Sequence, residues 1–198
     1  MSDSTPSAPP MLVQHHREKL INAIIFFSRR TQHCYKTKLI KLLYFLDFEH
    51  YKEVGRSVTG LKYYAWKMGP VPTELFEELD DPAEDMRSNL KVTQETYRHS
   101  SGEERCQVSI KPISEFDQSL FSKREMRLME RLVERYHSQL SDDMITATHE
   151  LGLPWHRVYN EQKRRQEEIP YSYILSEEDR ELVEGLATER REVIENYA

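Results

Sequence analysis

The stretch from Lys36 to Leu79 constrains the fold more than any other part of the chain. It opens with an almost entirely apolar helical pattern that runs from Lys36 to about Lys52 and ends at Gly55. Residues 61–66 then alternate as a strand does, and Gly69-Pro70-Val71-Pro72 forces a corner. Pro72 suits the first turn of the helix that follows. The stretch predicts a compact helical scaffold with a small β element, and nothing in it is typical of reaction chemistry.

The helix predicted over residues 36–52 is expected to be central. At about 100° per residue its leucines share one face, and the charged Lys38, Lys41, Glu49 and Lys52 cluster on the opposite face. Aromatic residues widen the apolar surface beyond a simple stripe. Lys36, Lys38 and Lys41 also form a small basic patch.

The remaining elements follow from periodicity and from helix and strand breakers. Further helices are predicted from near His16 to about Arg30, over 73–79, 121–139 and from Ser141 to about Leu151, and from a capping-box-like start at Ser176. Residues 83–89 have the composition of a loop, and strands over 90–97 and 105–111 predict a β-hairpin on the helical body. The fold class is therefore α+β, predominantly α-helical, with a strand near 61–66 and a hairpin near 90–111.

A length of 198 residues suits one domain with appendages. We expect a disordered leader over residues 1–13, a domain over 14–160, and a charged helical extension over 161–198. The net charge of −6 disfavours a general nucleic-acid binder, and no apolar run approaches the roughly 20 residues of a membrane span. The leader is not a secretory signal, so the two cysteines are expected to be reduced thiols and the location to be cytoplasmic.

No residue pattern in the chain predicts catalysis, a cofactor or a metal site. The eight histidines show no zinc-binding spacing, and the six glycines form no phosphate-binding loop or dinucleotide fingerprint. His33 and Cys34 are adjacent, which rarely lets two residues act as base and nucleophile. We therefore expect a protein that is not an enzyme.

Several single residues are expected to serve structure. Asp47 falls on the buried side of its helix, where a carboxylate needs hydrogen-bond donors, and a tether for the loop over residues 55–60 is favoured over a catalytic acid. His149 in the last turns of its helix and Trp155 after Pro154 are also interpreted as structural.

The aromatic strand and the corner after it are the candidate partner-binding residues. Tyr, Trp and Met are enriched at protein interfaces, and strand alternation makes it hard to bury every member of this cluster. The set consists of Tyr63, Tyr64, Trp66, Met68, Gly69, Pro70 and Val71. An exposed aromatic edge of this kind also predicts a tendency to form homo-oligomers.

The same residues resemble the Panacea domain, the SocA-like antitoxin family of bacterial and phage toxin–antitoxin pairs. The resemblance rests on KLIKLLYFLDFEHYKEVGRSVTGLKYYAWKMGPVPTELFEEL at Lys38–Leu79 and on THELGLPW at Thr148–Trp155. Its landmarks are residues 41–44, Thr59-Gly60, Gly69 to Pro72, and the late histidine followed by Pro154-Trp155. They bracket residues 14–160.

The resemblance implies a mostly helical domain that binds and blocks a cognate protein toxin, with toxins of unrelated folds across the family. The first hypothesis is accordingly a type II antitoxin that acts by direct protein–protein contact. A proteolytic adaptor that delivers its toxin to an ATP-dependent protease is the second. A small-ligand enzyme that uses Asp47 and His149 is the third, and a DNA-binding regulator is disfavoured by the charge.

Overall fold

A computed structural model of the protein describes residues 10–98 and 102–177, together with positions 179–181, 183 and 185; for residues 10–15 and 105 it describes the backbone only. The helices are α1 (Pro10–Arg30), α2 (Lys36–Val54), α3 (Thr73–Glu78), α4 (Glu84–Asn89), α5 (Lys123–Tyr136), α6 (Ser141–Thr148) and α7 (Pro154–His156), the last continued by a π-helical turn over Arg157–Glu161. The strands are β1 (Tyr64–Trp66), β2 (Gly69–Val71), β3 (Leu90–Arg98) and β4 (Glu104–Pro112), and 3-10 turns cover Gln118–Leu120 and Tyr171–Ile174. The predicted α+β, mainly helical fold class is confirmed.

Helix α2 is the central element, as its sequence predicts. It contacts α1, α5, α6, β2, β4 and the turn at Tyr171–Ile174, so most of its side chains are buried. Gly55 ends it in a left-handed conformation, and the Gly55 amide donates to the Tyr51 carbonyl.

The prediction that Lys38 and Lys41 lie on a charged face of α2 opposite the leucines is wrong, whereas Lys52 is exposed. Lys38 is fully buried, and its ammonium donates to three backbone carbonyls, those of Gln32, His137 and Gln139, at 2.7–3.0 Å. These bonds hold the chain before α2 against the chain after α5. Lys41 is also buried, and its bond is part of the candidate site described below.

Lys36 completes the correction of the predicted basic patch. Its ammonium lies 2.6 Å from the Asp80 carboxylate and 3.6 Å from the centre of the Phe76 ring. An ammonium that is paired and stacked in this way is not available to an external anion. The three lysines therefore make their contacts within the molecule and form no surface patch.

The first sheet contains an element that the sequence did not predict. Residues 69–71, expected to form a corner, pair antiparallel with β1 in the register Tyr64↔Val71 and Trp66↔Gly69. The other edge of β1 is covered by residues 166–169, which lie in the segment predicted to be a C-terminal extension. The amide of Ala65 donates to the Glu167 carbonyl at 2.9 Å, and the Ile169 amide donates to the Tyr63 carbonyl at 2.7 Å. The edge of β1 is thus closed by the chain itself.

The second sheet is the predicted hairpin, β3 paired with β4 from Leu90↔Pro112 to Arg98↔Glu104. Its base packs against α1 and α2, and its far end is exposed. The loop predicted over residues 83–89 is wrong, because helix α4 occupies Glu84–Asn89 and buries Met86 in the core.

The two ends of the chain are described in part. Helix α1 begins at Pro10, earlier than the predicted start near His16, and residues 1–9 of the predicted leader lie outside the described residues. At the other end, the Ser176 hydroxyl accepts a bond from the Asp179 amide at 3.2 Å, which is the capping contact expected at the start of the last helix. Residues 186–198 of the predicted charged helical extension lie outside the described part. Within that part, no helix is long and apolar enough to span a membrane.

Candidate partner-binding surface

Several sequence landmarks meet at one contact, which we call the Gly69 cluster: Lys41, Gly69, Pro70 and Thr148. The Lys41 ammonium donates to the Pro70 carbonyl at 2.8 Å. A Cβ atom placed on Gly69 would lie 2.7 Å from the Lys41 nitrogen and 2.8 Å from the Thr148 hydroxyl, and its φ of +99° is left-handed. Only glycine lets β2 approach α2 and α6 this closely.

Burial sets the electrostatics of the Gly69 cluster. Desolvation lowers the pKa of Lys41 from 10.5 to about 7, so near neutral pH its amine is protonated in only part of the molecules. The pKa of His149 is also lowered, first by desolvation and then by the neighbouring charges of Lys41 and His156. The cluster is therefore a region in which positive charge is unfavourable.

Trp155 joins the start of α7 to the tip of the first sheet. Its indole nitrogen donates to the Trp66 carbonyl at 2.9 Å. Its ring stacks on His149, with centroids 3.7 Å apart, and on Tyr159, at 4.7 Å. Pro154 occupies the first turn of α7, where its missing amide hydrogen costs nothing. The late landmark thus fixes the turn between β1 and β2.

Asp47 has the geometry of a tether. Its carboxylate accepts hydrogen bonds from the amides of Val58 and Thr59, both at 2.8 Å, from the Thr59 hydroxyl, and from the Tyr63 hydroxyl at 2.8 Å. Desolvation raises its pKa to about 6, against the opposing effect of these four bonds. Two carboxylate oxygens have about four acceptor positions, and protein donors use all four. His149, the other residue of the small-ligand hypothesis, is not among the donors.

Gly60 lies within the segment that Asp47 holds, and Pro72 directly follows β2. Gly60 has a φ of +75°, and a Cβ atom there would lie 2.5 Å from the His16 ring. Pro72 caps α3 rather than starting it, since the helix begins at Thr73. Both residues fix the path of the chain into and out of the first sheet.

The predicted partner-binding residues divide by burial. Tyr63, Gly69, Pro70 and Val71 are buried, and their contacts lie inside the molecule. Tyr64 and Trp66 are half-buried, with the Trp66 ring 5.4 Å from that of Phe76. Met68 is 56% exposed. The part of the predicted set that is accessible to another protein is therefore Tyr64, Trp66 and Met68.

Sequence reasoning missed Leu151, which is 85% exposed. It lies in the loop between α6 and α7, while Met68 lies in the turn between β1 and β2. The two segments meet where Gly69 contacts Thr148. The signal in the sequence was an apolar residue directly before Gly152, in a segment that we had assigned to the end of a helix. We call Tyr64, Trp66, Met68 and Leu151 the Met68–Leu151 surface.

Among the described residues, no three His, Cys, Asp or Glu side chains come together in a way that could hold a metal ion. No curated protein and no solved structure matches the chain. The model of the family described as antitoxin SocA-like, Panacea domain, matches residues 39–156, which is more than half of the chain and includes every landmark named above. This match supports a toxin–antitoxin role in general. The chain belongs to the SocA-like antitoxin family with a Panacea domain.

Proposed function

We propose that the protein is the antitoxin of a type II system and neutralises a protein toxin by direct contact through the Met68–Leu151 surface. The observation that carries the proposal is the exposure of two large apolar side chains on segments that the Gly69 cluster holds in place. Apolar and aromatic residues on a rigid support lose little conformational entropy on binding, which makes them effective anchors.

The surroundings of these side chains fit an interface. Tyr64 and Trp66 add half-buried aromatic area next to Met68, and Lys67 is an exposed charge at the tip of the turn. An apolar centre with polar residues around it is the usual composition of a protein–protein contact. Because residues 166–169 close the edge of β1, we propose side-chain contacts and no strand addition at that edge.

A growth assay tests the proposal. The adjacent reading frame is expressed from an inducible promoter, with and without this protein, and we expect co-expression to relieve toxicity. Met68→Asp and Leu151→Asp should each abolish relief, while Ile113→Asp, at a side chain of similar exposure (60%) outside this surface, should not.

Co-purification and melting temperature complete the experiment. The variants should keep the wild-type melting temperature, since exposed substitutions rarely change stability by more than about 0.5 kcal/mol. Toxicity that persists with the wild-type protein would refute the antitoxin role. Relief by both aspartate variants would place the interface elsewhere. A stable, soluble complex separates sequestration from delivery to a protease.

A further inference from the structure

A second surface, on α5, is built from arginines. Arg124, Arg127 and Arg131 lie about one helical turn apart and line an open cleft of about 390 Å³ together with Glu53 of α2. The opposite side of α5 is buried, with Leu128, Met129 and Leu132 in the core. The arginine side is therefore held facing outward.

The positive charge of this cleft is only partly neutralised within the molecule. Arg131 pairs with Glu53 at 2.9 Å. Neither Arg124 nor Arg127 has an ion pair with any residue that the structure describes, and Glu130, one turn along from Arg127, is not bonded to it. Two guanidinium groups are left for an external partner.

The acidic residue in the first turn of α5 does not offset these charges. Glu125 is turned inward and buried. Its carboxylate pairs with the Lys19 ammonium at 2.7 Å and accepts a hydrogen bond from the Ser122 amide. The amino end of α5 adds its own partial positive charge to the cleft. Each pair of like charges one turn apart destabilises an isolated helix by a few tenths of a kcal/mol. The arginines therefore do not stabilise α5.

We infer that the cleft binds an acidic segment of a partner protein. Guanidinium groups bind carboxylates in a bidentate manner, and the two that have no internal ion pair, Arg124 and Arg127, can receive two side chains of Asp or Glu. Nucleic acid fits less well, because it needs a long positive track, whereas here a single cleft lies on a chain of net charge −6 and has a carboxylate in its wall.

This surface is distinct from the Met68–Leu151 surface. Glu53 and Lys41 are 12 residues apart on α2, which corresponds to about 18 Å along the helix axis. The inference therefore goes beyond the proposed antitoxin function and can be tested without a toxin.

The test is fluorescence anisotropy with a labelled peptide of alternating Glu and Asp, and with a matched Gln and Asn peptide. We expect the full-length protein to bind the acidic peptide, with an affinity that falls as NaCl is raised. Arg124→Glu combined with Arg127→Glu should weaken binding about tenfold or more. Arg56→Glu with Arg165→Glu makes the same change of net charge at exposed positions elsewhere and should weaken it far less.

Other results would overturn the inference. They are the absence of binding to the acidic peptide, equal weakening by both double variants, or equal binding of the two peptides. Tighter binding of a DNA duplex, lost in the same double variant, would assign the cleft to nucleic acid instead. If the charge-reversed protein melts early, Arg124→Gln with Arg127→Gln provides the same comparison.

Discussion

Replacing Lys41 with methionine tests how the Gly69 cluster handles a buried charge. Methionine keeps a long unbranched side chain and removes the ammonium. In the wild-type protein Lys41 is 1% exposed, and its ammonium has one hydrogen-bond acceptor, the Pro70 carbonyl, at 2.8 Å. Desolvation lowers its pKa from 10.5 to about 7. The protonated lysine is therefore costly to the folded state, and the cost depends on pH.

The sign and size of this dependence follow from linkage. Below pH 7 Lys41 is protonated in both the folded and the unfolded chain, so the folded state is destabilised by the full desolvation free energy of the ammonium. Between pH 7 and 10.5 the folded chain has released the proton while the unfolded chain keeps it, so the free energy of unfolding rises with pH. At about 1.4 kcal/mol per pH unit, this interval corresponds to a gain of about 5 kcal/mol.

The assay is urea unfolding of the wild-type protein and Lys41→Met at pH 6.5, 8 and 9.5. Titrating groups that do not interact with Lys41 contribute equally to both proteins and cancel when the two free energies of unfolding are subtracted. The free energy of unfolding of the wild type should therefore rise by about 3–4 kcal/mol relative to that of the variant across this range. The loss of the bond to Pro70, about 1 kcal/mol, is the same at every pH. Lys52→Met, at an exposed position on the same helix, should show a flat difference. A flat difference for Lys41→Met as well would refute the reasoning.

Three further substitutions test other contacts by urea unfolding at pH 7. Gly69→Ala should lower the free energy of unfolding by about 2–4 kcal/mol, because the new methyl group overlaps two polar atoms. Gly102 is also left-handed but lies in open space, so Gly102→Ala should lower it by only about 1–2 kcal/mol. Equal losses from the two substitutions would contradict the close approach of Gly69 to its neighbours. Asp47→Ala should lower the free energy of unfolding by about 3–5 kcal/mol, since four buried donors lose their acceptor. A decrease of less than about 1 kcal/mol would exclude the tether. Tyr171→Ala should lower the free energy of unfolding by about 2–4 kcal/mol, because its ring packs on Phe48 and Tyr51. Tyr97 is more exposed, so Tyr97→Ala should change the same quantity by no more than about 0.5 kcal/mol. Equal losses would mean that the segment around Tyr171 adds little to the core.

Helix α2 shows why local periodicity predicted the fold class and yet misplaced individual side chains. The apolar run and Gly55 define a helix and its end without reference to the rest of the chain. A helical projection assigns Lys38 and Lys41 to solvent because it treats lysine as polar. It cannot know that α2 is packed on most of its sides, or that backbone carbonyl groups distant in sequence will bind the two ammonium groups.

The first sheet could not be predicted because its pairing is long-range. Pro70 reads as a strand breaker, and a proline without an amide hydrogen is tolerated only on an edge strand such as β2. The third segment, residues 166–169, lies in a charged region without strand alternation, and its bonds to Tyr63 and Ala65 span about half of the chain. The buried Gly69 and Pro70 contact α2 and α6, and these long-range contacts are equally invisible to local sequence patterns.

The family landmarks have a consequence for partner choice. Lys41, Gly69 and Trp155 are buried, and each contacts the backbone or side chains that present the turn and the loop of the Met68–Leu151 surface. In the proposed interface the buried residues cannot touch the toxin, whereas Met68 and Leu151 lie outside these contacts and can be exchanged at little cost to stability. We therefore propose that recognition in this protein depends on the side chains that the landmarks hold and on the arginine face of α5, not on the landmarks themselves.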